Sequence, residues 1–222
     1  TFAPVVDIDN NFRNPITNVR TYGADADQVL AMGRAYMKGA NEEGVMVSIK
    51  HFPGDGVDDL DQHLATSVNS LSLEEWENSY GKIYRGLISD GAQAVMVGHI
   101  AMPAMEEYFD KQPCTKAIPA TASKNIVDGY LRGVLGFNGL IITDASPMVG
   151  LLSATDRKTG VPGAIANGCD MFLFTKDLDE DIAFMKEGYQ NGIITKERLN
   201  EAVTRILATK AALGLPEMKA GG

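Results

Sequence analysis

Polar side chains that could do chemistry follow two apolar segments of this chain. Lys50 and His51 come directly after the apolar run 45–49, and Asp144 ends the run that starts at Gly139. Parallel strands of α/β enzymes present such groups at their carboxyl ends, where active sites form. Asp144 could be a nucleophile or general base there, or only the cap of the helix that follows.

A second candidate group is the pair Asp61 and His63, which lies in a loop rich in Asp and Gly. A carboxylate two residues away can hold the tautomer of an imidazole and support its protonated form, which makes a general acid and base usable near neutral pH. A merely solvated loop histidine is the alternative. Asp55 and Asp59 could join the pair as a metal loop, but the pattern of a Ca²⁺ loop is not met.

Four residues could line the same site. Lys50 and His51 together would offer hydrogen-bond donors that suit sugar hydroxyls or an acyl oxygen. Arg20 is a lone cation after the first predicted strand, and a surface position explains it equally well. His99 ends another predicted strand and could face the same opening.

Apolar runs alternate with helical patterns along the whole chain. Strands are predicted at 2–8, 45–49, 94–97, 140–142 and 171–174. Helices are predicted at 28–41, 72–90, 124–135, 160–167, 179–190 and 196–213. Ser72 and Glu75 form a capping box, and the last helix should turn an apolar face inward. That face comprises Leu199, Val203, Ile206, Leu207 and Leu213.

This order of elements predicts βαβ units and a parallel sheet, which fits a doubly wound fold or a (β/α)₈ barrel. No G-x-G-x-x-G follows the first strand and no P-loop occurs, which weighs against a nucleotide-binding doubly wound fold. The fold class is therefore α/β. A TIM-type (β/α)₈ barrel needs eight strands, so this alternative implies that about five of eight are present and that the N-terminal ones are missing. Because unpaired apolar edges are avoided, we expect Phe2–Ile8 to lie at an open edge or to pair with another segment or chain.

Composition excludes several classes of function. The net charge is −9 with no cluster of Lys and Arg, so a nucleic-acid partner is not expected. No apolar run is long enough to span a membrane. Spacings typical of zinc sites and the G-x-S-x-G elbow are absent, and we expect neither a metal nor another cofactor. Of the two cysteines, Cys169 is predicted to be a buried thiol, and a disulfide framework is not indicated.

Six stretches carry a family resemblance, and they follow one another in order along nearly the whole chain. They are Phe2–Ile8, Val19–Gly23, Lys50–Gly54, Asp61–His63, Pro119–Ser123 and Gly136–Asp144. Together they resemble family 3 of the glycoside hydrolases, in particular its β-N-acetylglucosaminidase branch.

The resemblance implies a (β/α)₈ barrel, of which residues 1–222 would be the C-terminal portion, and a retaining double displacement. It assigns Asp144 as the nucleophile, His63 as the general acid/base and Asp61 as the partner of His63. It assigns the binding of the N-acetylglucosamine unit to Arg20, Lys50 and His51. The expected substrate is a small saccharide, and the expected partner is the missing N-terminal part of the same barrel.

The chain departs from the pattern of this branch at Asp55, where a histidine is common, and there it resembles the β-glucosidase branch. That branch usually has a Trp after the nucleophile, whereas this chain has Ala145. We expect an exo-acting β-N-acetylglucosaminidase on cell-wall or chitin-type saccharides. The alternatives are a phosphorylase or a β-glucosidase on the same scaffold, and a non-catalytic sugar-binding or inactive fragment. The chemistry of a phosphorylase fits this pattern as well, because a neutral imidazole repels phosphate less than a carboxylate does.

Overall fold

The computed structural model describes residues 1–215, and its centre is a parallel sheet of three strands. Strand β1 is Ser48–Phe52, β3 is Ala94–Val97 and β5 is Leu140–Thr143, and they lie in the order β1-β3-β5. Both faces are covered, which explains why β3 and β5 consist almost entirely of buried apolar residues. A separate pair is formed by β2, Ser67–Val68, and β4, Ile100–Ala101, which are also parallel.

The first and last predicted strands extend this sheet on its two sides by single bridges. Val5 pairs in parallel with Lys50 of β1, and Met171 pairs in parallel with Ile142 of β5. The five apolar segments therefore lie side by side in chain order, as the barrel prediction requires. Over residues 1–215 the sheet stays open, with the first segment at one edge, and the fold is a partial (β/α) barrel.

Helices cover the sheet between the strands. The α-helices are α1 Ala26–Glu42, α2 Leu73–Trp76, α3 Lys82–Ser89, α4 Pro103–Asp110, α5 Val149–Leu152, α6 Arg157–Ala166, α7 Leu178–Gln190 and α8 Lys196–Ala212. A π-helical stretch, Glu77–Gly81, joins α2 to α3, and another, Asn125–Val134, replaces the helix predicted at 124–135. A 3₁₀ turn spans Ala120–Ala122. Within residues 1–215 no helix is both long enough and apolar enough to cross a bilayer.

The helical unit 73–89 packs an aromatic cluster beneath β1. Its predicted capping box is present, since Ser72 and Glu75 satisfy each other's backbone N–H groups. Trp76, Tyr80 and Tyr84 are fully buried, and the rings of Trp76 and Tyr84 both pack edge-on against Phe52. Edge-to-face pairs of this kind add to the free energy gained by burial.

The predicted strand 45–49 begins three residues too early. The chain leaves α1 through Gly44, at a positive φ of 70°, and the Val45 N–H then donates to the Ala40 carbonyl. Val45 therefore belongs to the helix terminus and is exposed, and pairing starts only at Ser48. As a result, Lys50 and His51 lie within β1 rather than after it.

The inward face predicted for α8 is confirmed only at Ile206, which is partly buried and packs against residues of β3 and β5. Leu199, Val203, Leu207 and Leu213 are all exposed, and only Ala202 of this helix is buried. The inner side of α8 instead carries Arg198 and Arg205, which reach the buried carboxylate of Asp170 together with Arg132. A carboxylate can be buried here because several guanidinium groups pair with it.

The prediction for the cysteine thiol at position 169 is confirmed. Cys169 is fully buried, and burial raises the pKa of its thiol to about 12. Such a thiol is inert as a nucleophile at neutral pH.

Candidate active site

A buried carboxylate, Asp7, organises the carboxyl end of the first apolar segment. Its Oδ2 accepts a hydrogen bond from His51 Nδ1 at 2.7 Å, and its Oδ1 accepts from the backbone N–H groups of His51 and Asp55 at 3.1 and 2.9 Å. Burial alone would raise the pKa of Asp7, but the His51 ring and these donors outweigh burial and lower the pKa. Asp7 is therefore a carboxylate that holds the end of β1 and the loop that follows it at fixed positions.

The ring of His51 connects Asp7 to Asp144. Because His51 Nδ1 donates to Asp7, His51 Nε2 is the ring atom that faces the opening, 3.9 Å from Asp144 Oδ2. Asp144 follows β5 directly. Its backbone N–H extends the sheet by donating to the Val97 carbonyl at 2.9 Å. From the sequence, Asp144 could have been only the cap of the helix that follows. The N-cap of that helix is Met148, so Asp144 does not have this role. Asp144 Oδ1 accepts only from the adjacent Ala145 N–H, at 2.7 Å, among the protein groups of residues 1–215.

A bulge in β1 places Lys50 and His51 at the same opening. Between Ile49 and Phe52, β1 advances three residues while β3 advances two. One extra residue on one strand re-aims side chains that would otherwise alternate between the two faces of the sheet. Burial and the charge of Arg20 lower the pKa of Lys50, and the carboxylates of Asp144 and Asp7 oppose this change. The ammonium group of Lys50 therefore lies within electrostatic reach of all three residues.

Arg20 is an exposed residue in the turn after the first apolar segment. Its backbone N–H donates to Thr17 at 2.9 Å, which closes that turn. No ion pair of residues 1–215 involves the guanidinium group of Arg20. Arg20 is thus free to bind an external polar group while its charge acts on Lys50.

The Asp61–His63 pair forms in the structure. His63 Nδ1 lies 2.7 Å from Asp61 Oδ1, and the same oxygen accepts the His63 backbone N–H at 2.8 Å. A carboxylate at Nδ1 sets the tautomer so that Nε2 faces outward. The His63 side chain is 55% exposed, so the ring is accessible to a substrate and to water.

The loop that carries His63 is tied to the segment that follows Asp144. The backbone N–H groups of Val149 and Gly150 donate to the carbonyls of His63 and Gln62 at 3.2 and 3.0 Å. A Cβ on Gly150 would lie 2.8 Å from the Gln62 carbonyl oxygen, so this approach requires glycine. The structure therefore brings both predicted catalytic groups to one end of the sheet.

His99, by contrast, supports the backbone behind this opening. Its Nε2 donates to the Ala145 carbonyl at 2.9 Å, and its Nδ1 accepts from the Thr121 hydroxyl at 2.8 Å. His99 is fully buried, and burial lowers its pKa. Both ring nitrogens are used within the protein, so His99 holds the residue after Asp144 rather than a substrate.

Asp55 is a buried acid that joins three parts of the site. Its side chain accepts from Asn14 Nδ2 at 3.1 Å, Gln62 Nε2 at 3.0 Å and the Gly56 N–H at 2.8 Å. Burial, and then the Asp7 charge, raise the pKa of Asp55 to about 6. Asp55 is therefore an anchor of the loops, and not a ligand in the metal loop that the sequence left open. Among residues 1–215, His, Cys, Asp and Glu form no group of three that could hold a metal ion.

The glycines on either side of Asp55 are required by close contacts. Gly54 and Gly56 have φ values of +123° and +104°, which other residues rarely adopt. A Cβ on Gly56 would lie 2.0 Å from the Ile8 carbonyl oxygen, and one on Gly54 would lie 2.2 Å from the Tyr80 ring. The Tyr80 hydroxyl also donates to the Asp55 carbonyl at 2.6 Å, so the aromatic cluster supports this loop directly.

Sequence reasoning gave no role to Asp7 or Gln62. Asp7 carries the signal that drew attention to Asp144, an acid at the end of an apolar run. Gln62 carries no such signal, because an amide between two charged loop residues is usually solvated. Its burial to 1% exposure depends on residues far away in the chain.

The pKa of Asp55 predicts a pH dependence of folding. Raising the pKa of one acid from 3.8 to about 6 on folding corresponds to about 3 kcal/mol. The folded state prefers the protonated acid, so this contribution is complete below pH 3.8 and is lost as the pH rises through about 6. In the full-length protein, Asp55→Asn should therefore gain free energy of unfolding relative to wild type as the pH rises from 4 to 7, measured by urea denaturation. A difference between the two proteins that does not change with pH would contradict the assigned pKa.

The chain is similar to known proteins along almost its whole length. The chain is 54% identical over 215 residues to a beta-N-acetylglucosaminidase/beta-glucosidase of Cellulomonas fimi, covering 96% of this chain and 38% of that protein. The solved structure of a beta-glucoside phosphorylase, BglX, superimposes with a TM-score of 0.95 at 48% identity, over 99% of this chain and 40% of that one. A family 3 beta-N-acetylglucosaminidase from Paenibacillus sp. str. FPU-7 gives a TM-score of 0.89 at 31% identity, over 100% and 41%.

The chain thus spans about two fifths of the length of these relatives. The model of the glycosyl hydrolase family 3 N-terminal domain matches residues 1–209. This match covers nearly the whole chain, and the chain belongs to glycosyl hydrolase family 3.

Proposed function

We propose that this protein is a retaining exo-glycosidase that removes β-linked N-acetylglucosamine from cell-wall or chitin-type saccharides. The observation that carries the proposal is the presence of two different reactive groups at one end of the sheet. One is the Asp144 carboxylate beside His51, and the other is the accessible imidazole of His63 held by Asp61. A retaining enzyme needs a nucleophile and a separate proton donor.

In the first step, Asp144 attacks the anomeric carbon and the bond to the leaving oxygen breaks. His63 Nε2 gives its proton to that oxygen while Asp61 holds the ring through Nδ1. In the second step, water attacks the glycosyl-Asp144 ester while the neutral His63 accepts its proton. The carboxylate of Asp144 and the protonated imidazole are then restored.

Substrate binding is proposed for Arg20, Lys50 and His51. Lys50 and Arg20 supply cationic donors near Asp144, and His51 Nε2 supplies a ring atom whose orientation Asp7 sets. Donors converging on one small opening suit the hydroxyl and amide oxygens of an N-acetylated sugar. No cofactor takes part in this scheme.

The role of His63 can be tested through the leaving group. In the full-length protein, His63→Ala should lower kcat/KM roughly 10²–10⁴-fold for N-acetylglucosaminides with poor leaving groups. Dinitrophenyl substrates, whose leaving oxygen needs no proton, should lose little. Asp61→Ala should show a milder form of the same pattern because it acts through His63. Equal losses on both classes of substrate would argue against His63 as the acid.

A phosphorylase is the second candidate, and the structural similarity to BglX favours it. Phosphate would replace water in the second step, and a neutral imidazole repels it less than a second carboxylate would. Reaction in phosphate buffer distinguishes the two, because a phosphorylase yields the sugar 1-phosphate and a hydrolase yields the free sugar. Parallel assays with glucosides test the β-glucosidase alternative, and any turnover excludes a purely sugar-binding role.

We propose further that additional strands of the same barrel, from another segment or chain, complete the site. Two edges of the sheet are open within residues 1–215, and the apolar side of α8 is exposed. Open edges and apolar faces of this size are normally covered. The isolated chain should be unstable and inactive, and co-expression with the remainder should restore activity. A stable and active isolated chain would contradict this proposal.

A further inference from the structure

Gln62 is the buried member of the Asp61-Gln62-His63 triplet, and both of its side-chain ends are satisfied inside the protein. Its Nε2 donates to Asp55 Oδ2 at 3.0 Å, and its Oε1 accepts the backbone N–H of His99 at 3.1 Å. Gln62 is 1% exposed, whereas the neighbouring His63 side chain is 55% exposed. The loop is thus held by its middle residue while its reactive residue remains accessible.

The two anchors of Gln62 belong to the two sides of the proposed site. Asp55 is held by Asp7 through its backbone N–H, and Asp7 also orients His51 toward Asp144. His99 lies on the other side, where its ring holds the Ala145 carbonyl directly after Asp144. Both contacts of the Gln62 side chain therefore reach residues that are themselves fixed relative to Asp144.

We propose that Gln62 is a positioning residue that sets the place of the His63 imidazole relative to Asp144. The inference rests on the proposed function, since it assigns to Gln62 the task of holding the acid/base. The Asp61–His63 bond sets the tautomer and orientation of the ring, but it lies within the loop and cannot locate the loop. The Gln62 side chain supplies that location together with the N–H groups of Val149 and Gly150, which bind the carbonyls of His63 and Gln62. Small misplacements of a catalytic group are costly to the rate.

The donor and acceptor ends of the amide are not interchangeable at this position. Asp55 is an acceptor and the His99 N–H is a donor, so Gln62 fits them in only one orientation. Gln62→Glu keeps an acceptor for His99 but places a second carboxyl against Asp55, which repels it. Adding Asp55→Asn reverses the pair, because the amide introduced by that change can donate to the new carboxylate. Repulsion is thereby replaced by a hydrogen bond of opposite polarity.

The test uses kcat/KM of the full-length protein on matched N-acetylglucosaminides with poor and activated leaving groups. Gln62→Glu should lose about tenfold to a hundredfold on the poor leaving group and less than about threefold on the activated one. The double variant should recover most of the loss. Gln112→Glu makes the same chemical change at an exposed residue and should have no effect. Thermal unfolding of each variant shows whether it is folded at the assay temperature.

The possible outcomes separate this proposal from the one on which it rests. If His63→Ala fails to show leaving-group dependence, the role of His63 is wrong and the positioning role falls with it. If His63→Ala shows that dependence but Gln62→Glu loses equally on both substrates, only the positioning role is overturned. Failure of the double variant to recover also overturns it. If Gln62→Glu does not fold, Gln62→Leu replaces it, and loss on the poor leaving group alone is again required.

Discussion

The contacts of the Asp7 carboxylate are the constraint on which the site depends. A fully buried charge is tolerated only when its lone pairs are used, and here three donors use them. These donors belong to His51, which lies within the Lys50–Gly54 motif, and to Asp55, which follows that motif directly. Removing the carboxylate would free the His51 ring that faces Asp144 and would release the N–H that locates Asp55. His51 would then no longer be fixed beside Asp144, and Asp55 would no longer be fixed beside Gln62.

Rigid elements stand behind each of these polar contacts. Trp76 Nε1 donates to the Pro53 carbonyl at 2.6 Å, and the Tyr80 hydroxyl donates to the Asp55 carbonyl. Both rings belong to the helical unit 73–89 and are fully buried. The loop from Gly54 to Asp55 is thus held from below by aromatic residues and from above by Asp7. Sites supported in this way keep their geometry without help from the substrate.

Sequence patterns predicted the elements that are governed by local rules. Strands β3 and β5, the capping box at Ser72 and most helix positions follow from apolar periodicity and from caps. The start of β1 was misplaced because Val45 closes α1, which periodicity does not register. The side of α8 that packs inward was also predicted only in part, because Arg198 and Arg205, rather than the leucines beside Ile206, reach the buried Asp170. Both errors arise from tertiary contacts that override local preference.

The residues of the candidate site also fall into a group that the sequence could predict and a group that it could not. Asp144, His51, Lys50 and the Asp61–His63 pair could be named from residue type and position, and the structure brings them together. Asp7, Asp55 and Gln62 could not be ranked as anchors, since their partners lie up to 48 positions away along the chain. Reactive side chains could therefore be predicted from the sequence, whereas the buried residues that hold them in place could not.

In the proposed mechanism, Asp144 forms a covalent bond to the anomeric carbon of the sugar. A fluorinated N-acetylglucosaminide analogue with a good leaving group should trap that ester in the full-length protein, because fluorine slows its breakdown. Peptide mass spectrometry should then find the added sugar on a peptide that contains Thr143, Asp144 and Ala145, and Asp144→Asn should carry none. Labelling of any other residue, or the same labelling of Asp144→Asn, would contradict the account.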